Sequence, residues 1–274
     1  MRNSKVSVVT VTYNCEQVIE ETILSVVKQT YRNVEYIIID GKSTDTTISI
    51  IEKYRNYLAY SISEADNGIY DAMNKGIYYA TGEWIIFMNA GDVFASENSL
   101  NEFVERIDED TIVAYGDIVM QCSGYYYYAK PDGIENTIHQ MPVFHQSAIV
   151  RTDYHKKHPF DISFKSSGDY NFFYSCYFCD KCKFQYIPVI LSVFDNTEGM
   201  SKDHHGLSMR ENMRIWGKGN LYRIKMECKL LFFNIVMWLK NYLPQENKME
   251  REIKHLRKLG LYFEYGSYSK EWLK

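Results

Sequence analysis

Four acidic or amide side chains stand at the ends of β-forming runs: Asp40 closing "VEYIIID", Asp66 in "SEADNG", and Asn89 and Asp92 in "FMNAGDVF". Side chains of this kind on one rim of a sheet have few uses: binding a divalent cation, hydrogen-bonding a sugar or base, or accepting a proton. A metal-bound diphosphate draws on all of them. Mg²⁺ or Mn²⁺ takes one or two protein carboxylates and fills its remaining sites with phosphate oxygens and water. On this reading the Ala90-Gly91 turn removes side-chain bulk so that a diphosphate can approach, and Asp92 holds the cation that bridges it.

Whether these groups meet depends on the elements that carry them. In an open α/β sheet, ligands collect at the carboxyl ends of the strands, where loops converge and helix N-termini point at the crevice. The first half of the chain alternates strand-like and helix-like segments, as a parallel or mixed sheet wrapped by helices requires. Residues 6–12 read as the first strand. Asn14 and Gln17 have capping-box spacing ahead of a helix with the apolar stripe Ile19, Ile23, Val26 and Val27. Residues 34–40 are too uniformly apolar for a one-sided sheet and read as a central strand. "GKSTDTT" offers Ser43 or Asp45 as N-cap of a helix through about Lys53, residues 58–63 form a short strand, and residues 68–82 a helix stopped by Gly82. Beyond "EWIIFMNAGD" come a strand at 111–120, a tyrosine-rich hairpin arm "GYYYYAKPDG", a strand "HQSAIVR", a helix "GDYNFFYSCYF" and two short strands split by Pro188.

Composition excludes several classes. With 46% hydrophobic residues over 274 positions the chain fills a real core, and 31 Lys plus Arg against 35 Asp plus Glu give a net charge of −4, with no overall field for nucleic acid. The opening residues run straight into a strand without an apolar signal region, which reads as cytosolic, so the cysteines are expected as thiols. Cys176, Cys179 and Cys182 have the opening spacing of an iron–sulfur run, but the fourth position is Tyr186; they read as small apolar residues on one helix face.

"VSVVTVTYN", "IIIDGKSTDTT", "ISEADNGIYDAMNKGIYYATGEWIIFMNAGD", "FHQSAIVR", "SSGDY" and "FDNTEGMS" resemble, in order and spacing, the family 2 glycosyltransferases, inverting enzymes with the GT-A fold. The resemblance spans roughly residues 5–202 and is closest to the bacterial branch that builds O-antigen, capsule and other surface polysaccharides. It implies a Rossmann-like nucleotide-binding sheet with helices on both faces, over residues 1–205, and a helical C-terminal extension over 206–274. It also implies roles. Asp40 would hydrogen-bond the donor's nucleobase in a pocket lined by Thr10, Thr12 and Tyr13, and Asp66 and Asn74 would lie beside the nucleoside and donor sugar. Asp92 would take Mn²⁺ or Mg²⁺ and the diphosphate, Asp169 would be the general base, and His145 with "EGMS" would close over phosphate and acceptor. Taken alone, Asp169 equally suits a helix cap, and His145 a hydrogen-bonded structural residue.

Two departures stand out. Gly41 and Lys42 follow Asp40 where many relatives carry a second acid, and Asn89 and Gly91 replace two acids of the usual Asp-x-Asp-Asp loop. Metal affinity then rests mostly on Asp92, with Asn89 an oxygen donor at best. The expected chemistry is single displacement: a divalent cation stabilises charge on the leaving nucleoside diphosphate while Asp169 takes the acceptor's proton.

Residues 223–244 join an apolar run at 230–239 to Arg223, Lys225, Lys229 and Lys240, too short to cross a bilayer but suited to lie in its interface. The alternative packs this helix on its own domain or in a homodimer. The expected partners are a nucleotide-sugar donor, UDP-linked, and a lipid-linked saccharide acceptor at the inner face of the plasma membrane. The rivals are a sugar-phosphate nucleotidyltransferase, which should show a Gly-rich basic loop where this chain has "TYNCEQ", and a nucleotide-sugar or glycan-binding relative without turnover.

Overall fold

The computed structural model describes residues 4–123, 125–135, 141, 143–196, 205–217, 253–255, 257–258 and 262–264. Its centre is the strand β1 (Val6–Thr12), parallel to β2 (Val34–Asp40) on one side and β4 (Trp84–Phe87) on the other, with β3 (Tyr60–Ser63) beyond β2. The connections are α1 (Ile19–Val27), α2 (Thr47–Lys53) and α3 (Ile69–Tyr79). The second half adds β5 (Val93–Phe94), α4 (Ser99–Val104), β6 (Val113–Cys122), β7 (Tyr125–Ala129), β8 (Ala148–Arg151), α5 (Thr152–Lys157), α6 (Gly168–Phe178), β9 (Phe184–Asp195), α7 (His205–Ile215) and β10 (Tyr262–Glu264). The main sheet runs β10-β7-β6-β8-β4-β1-β2-β3, with β9 parallel to β6 and antiparallel to β5.

Both faces of the sheet are covered because its central strands are apolar on both. Val6, Val8, Ile38 and Ile86 pack with Ile19, Ile23 and Val26 of α1 and with Phe94, Leu100 and Phe103. Val9, Val11, Ile37, Ile39, Ile85 and Phe87 face Met73 and Ile77 of α3 and Phe172 and Phe173 of α6. Successive strand residues point to opposite faces, so these uniformly apolar runs fill two cores at once. At the amino ends of the strands, Glu35 accepts hydrogen bonds from Lys5, Ser7 and Thr81. Burial opposes its charge, yet these partners hold its carboxyl down at about 2.

Several local expectations are corrected. Residues 184–195 form one strand, not two: Pro188 is exposed and lies opposite a register shift between Tyr115 and Asp117, where a missing N–H breaks no ladder. A Cβ on Gly116 would come within 2.7 Å of the Val189 carbonyl oxygen, so glycine admits the irregularity. Asn14 caps no helix. It adopts φ +50, and its side-chain oxygen accepts the Thr44 N–H while its own N–H donates to Ser43 Oγ, joining the loops after β1 and β2. Helix α2 starts after Thr46, with the Asp45 carboxylate accepting the Thr47 N–H, and α3 ends at Tyr79, before Gly82. Gly82 serves close packing instead, since a Cβ there would sit 2.7 Å from the Ser7 nitrogen. Of the three clustered cysteines only Cys176 lies within α6; Cys179 is its C-cap and Cys182 follows the turn. The tyrosine arm is the β6–β7 hairpin, and Tyr128 donates to Asp117 at 2.6 Å.

Among the described residues no helix is long and apolar enough to cross a membrane. The segments "EGMS" and 223–244 lie outside the described residues.

The approach of α3 to the sheet is tested at Gly76, where an added Cβ would lie 2.4 Å from Val9 Cγ1. Gly76→Ala should cost about 1–3 kcal/mol despite alanine's better helix propensity, measured as a shift in the urea unfolding midpoint.

Candidate active site

The loop leaving β4 is fixed from below and from both sides. Thr10 Oγ1, inside the core, donates to the Met88 carbonyl at 2.7 Å, and Ala90 N–H donates to the Val11 carbonyl at 3.1 Å. Asp92 N–H returns to the Asn89 carbonyl at 2.9 Å, closing a turn whose Gly91 adopts φ +101, a region that suits glycine. Gly91 N–H donates to Thr22 Oγ1 of α1 at 3.0 Å. The turn therefore needs glycine for its backbone as well as for space.

Immediately after Asp92 the chain enters β5, which pairs Val93 with Val193 of β9. This pairing brings the end of β9 beside the loop, and Asp195 N–H donates to Asp92 Oδ1 at 3.3 Å. Asp92 is 5% exposed. Burial, with the neighbouring Asp195 charge, pushes its carboxyl up to about 7, against the pull of His145 and of the hydrogen bonds from Asp195 and Gln146. A cleft of about 510 Å³ opens above, lined among others by Asn14, Gln17, Asn89, Asp92, His145 and Asp195.

Behind His145, Asp169 lies in the first turn of α6. Its Oδ2 accepts from His145 Nδ1 at 3.0 Å, and its Oδ1 accepts from the Tyr70 hydroxyl at 3.0 Å and from Tyr170 N–H at 2.9 Å. The loop before α6 is anchored by Glu211 of α7, whose carboxylate accepts the N–H groups of Lys165, Ser166 and Ser167 at 2.7, 3.0 and 2.8 Å. The first helix after residue 205 thus holds the segment that delivers Asp169.

The predicted site residues divide into two groups. Asn89, Asp92 and His145 line the cleft, and Asp169 adjoins it through His145. Asp66 stands nearby at the β2–β3 rim: its Oδ1 caps Gly68 N–H, and its Oδ2 would lie 2.6 Å from a Cβ on Gly41. Tyr13 is 61% exposed beside the same rim. The other four lie among the scaffold elements. Asp40, 1% exposed, accepts from Ser43 N–H and Oγ and from Ser63 Oγ. Asn74 clamps the backbone of Phe160 at 2.9 Å in both directions, Thr10 supports the acidic loop, and Thr12 is buried. The sequence reading missed Asp195, Tyr70 and Glu211. Asp195 was within reach through the "FDN" that opens its motif; Tyr70 and Glu211 read as ordinary helix residues.

A second cavity, of about 600 Å³, lies by Gly82, Thr111 and Arg151 at the amino end of β4, the opposite end of the parallel strands from the acidic loop. The Arg151 guanidinium there is committed to Glu83 and to the carbonyls of Thr111 and Glu109. The acids gather instead at the carboxyl ends, where the strand topology places ligands.

The profile of Glycosyl transferase family 2 matches residues 7–176. A PGL/p-HBAD biosynthesis glycosyltransferase of Mycobacterium tuberculosis is 25% identical over 201 residues, 71% of this chain and 78% of that protein. Poly(ribitol-phosphate) beta-N-acetylglucosaminyltransferase TarS of Staphylococcus aureus is 34% identical over 110 residues, 38% of this chain and 19% of TarS. Among solved structures, S. aureus TarS 1-349 in complex with UDP superposes with a TM-score of 0.59 at 24% identity, covering 77% of this chain and 65% of that one. The chain thus spans a little under two thirds of that structure's length. Mannosyltransferase PcManGT from Pyrobaculum calidifontis, in complex with GDP-Man and Mn²⁺, superposes with a TM-score of 0.56 at 18% identity, over 71% of this chain and 57% of that one. At these identities the structural likeness is one of fold.

The environment of Asp92 fixes a pH signature. Its folded carboxyl titrates near 7 against an ordinary 3.8, so the folded state holds the proton more tightly and metal-free protein loses stability as pH rises between those values. Asp92→Asn should melt like the wild type near pH 4 and exceed it above pH 7, by on the order of 2–4 kcal/mol, in thermal denaturation with chelator present.

Proposed function

The chain belongs to glycosyl transferase family 2, with the GT-A fold, and we propose that it is an inverting enzyme moving a sugar from a UDP-linked donor to a lipid-linked saccharide in surface-polysaccharide assembly. The observation that carries this reading is the meeting of two groups at one cleft: the buried Asp92 with half-buried Asp195 beside it, and His145 with Asp169 hydrogen-bonded behind it. The first suits a diphosphate and its cation, the second an acceptor hydroxyl. The relatives lend support to the donor class, since TarS has been solved with UDP and with UDP-GlcNAc.

The residues fit a divalent cation. Asp92 keeps a proton near neutral pH because burial and Asp195 oppose its charge, which is the situation a hard cation relieves. Among the described residues no group of three or more His, Cys, Asp or Glu converges to hold a metal. That suits an ion which takes one or two carboxylates and draws its other ligands from phosphate and water. Asp92, with Asp195 beside it, would hold Mn²⁺ or Mg²⁺, and the bound cation would stabilise negative charge on the leaving diphosphate. Gly91 leaves room for the diphosphate over the turn, and the rigid strand ends keep donor and acceptor at a fixed separation. Attack from the side of His145 and Asp169 inverts the anomeric centre, so an α-linked donor gives a β-linked product.

In this reading residues 1–205 form the transferase domain and 206–274 an extension. Its segment 223–244 places the enzyme at the inner face of the plasma membrane, apolar side in the interface and lysines at the headgroups.

Calorimetric titration with UDP, GDP and dTDP, each with and without Mn²⁺, tests the donor site. One nucleotide should bind in a metal-dependent way, and Asp92→Ala should remove that dependence while leaving the melting temperature at pH 7 no lower. Failure of all three nucleotides to bind under any condition would leave a family member without donor recognition and defeat the proposal.

A further inference from the structure

We propose that Cys176 and Cys182 form a peroxide-reactive pair that closes to a disulfide, with Cys182 as the attacking sulfur and Cys176 as the resolving one, so that oxidation ties α6 to β9. The inference does not depend on sugar transfer.

The pair is drawn from three cysteines that the fold separates. Cys176 is fully buried in the core it shares with Phe172 and Phe173. Cys179, the C-cap of α6, is exposed, and Cys182 is half-buried. Beyond Cys179 the chain reverses. Asp180 N–H donates to the Ser175 carbonyl at 3.1 Å, Lys181 adopts φ +52, and Cys182 N–H donates back to the Cys176 carbonyl at 2.9 Å. A backbone bond between the same two residues holds their main chains close, which is the first condition for a disulfide. The side chains meet the second, because the two thiols are hydrogen-bonded to each other.

Helix α5 braces this turn. The Tyr154 hydroxyl reaches both sulfurs and donates to Asp180 Oδ2 at 2.6 Å. The His158 ring stacks on Tyr154 with centroids 4.3 Å apart, and its Nδ1 lies 3.5 Å from the same carboxylate oxygen. The thiols are thus held together while still reduced.

The two sulfurs differ in what they can do. The hydrogen bond from the Cys176 thiol, working against burial and the Asp180 charge, lowers the Cys182 thiol, whereas burial raises that of Cys176. The attacking form is the thiolate, and it must be reachable. Cys182 meets both conditions and Cys176 neither, which sets the order of events. Metal binding, the other common fate of clustered thiols, wants more ligands: among the described residues no group of three or more His, Cys, Asp or Glu converges to hold an ion.

The oxidant is hydrogen peroxide or an organic hydroperoxide. The Cys182 thiolate attacks one peroxide oxygen, the O–O bond breaks, and the departing oxygen takes up the proton that the thiol released, leaving a sulfenic acid on Cys182. The Cys176 sulfur then displaces the sulfenic hydroxyl, which leaves as water with the Cys176 proton, and the S–S bond forms. The two thiols lose two electrons between them, and the peroxide is reduced. In a reducing compartment the pair stays as thiols, and a dithiol reverses the bond once formed. Helix α6 opens with Gly168 and Asp169, and β9 ends at Asp195, so the bond joins the two elements that carry these acids, at the end of each that lies away from the acid.

In the test, the full chain, reduced and then freed of reductant, is exposed to hydrogen peroxide under native conditions. Remaining thiols are blocked with iodoacetamide, and the cysteines are mapped by mass spectrometry before and after dithiothreitol. The wild type should give a link between Cys176 and Cys182 that dithiothreitol removes, and peroxide should consume Cys182 several-fold faster than the exposed Cys179. Cys179→Ser should form the link as readily. Cys176→Ser should stop at a sulfenic acid on Cys182, captured by dimedone, and Cys182→Ser should leave Cys176 reduced. A link that uses Cys179 in place of either partner, a sulfenic acid formed first on Cys179, or recovery of Cys176 and Cys182 as thiols after Cys179 has been oxidised would each overturn the proposal. The wild-type map needs no substitution, so it decides the matter even where a variant fails to fold.

Discussion

The site is organised around the cost of burying a carboxylate. Asp92 lies at the junction where β4 leaves the central sheet and β5 joins β9, with a second acid beside it and water largely excluded. An isolated charge there would be untenable, and the chain meets the constraint with fixed dipoles, a neighbouring imidazole and a proton held near neutral pH. The same constraint explains the supports beneath the loop. Thr10 and Thr22 spend their hydroxyls on backbone groups of residues 88 and 91, so the acid cannot swing to solvent without breaking hydrogen bonds inside the core.

The two-sided core converts this local arrangement into a precise one. Strands β1, β2 and β4 are held in register along their length, so their carboxyl ends emerge together. Helices α3 and α6 pack against the same face, through Met73, Ile77, Phe172 and Phe173, and so bring Tyr70 and Asp169 within hydrogen-bonding distance across 99 positions of sequence. Neither helix could place its group alone.

Much of this was legible in the sequence because period and turn chemistry are local. The strands through residues 12, 40 and 87, the acidic turn and the helix opened by Asp169 all follow from apolar runs and their punctuation. What the sequence left illegible was tertiary. Asn14 has the spacing of a helix cap but ties two loops together instead, and nothing in its neighbours reveals that Thr44 lies opposite. Asp40 and Asn74 carry chemistry-bearing side chains whose hydrogen bonds are taken up by Ser43, Ser63 and Phe160, partners fixed only when strands and helices meet. Asp195 reaches the cleft through the pairing of β5 with β9, a single strand that Pro188 disguised as two.

The grip of Glu211 on three successive N–H groups has a consequence for how this protein can change. A loop that precedes a helix N-terminus with its amides converging is an anion site by default, and here the chain supplies its own anion from α7. Helix α7 is therefore not a passive appendage that can be exchanged without reference to the start of α6. Order in the segment bearing Asp169 and docking of α7 are thermodynamically linked, and linkage is reciprocal. Whatever tightens one tightens the other, and evolution can retune the start of α6 by editing α7.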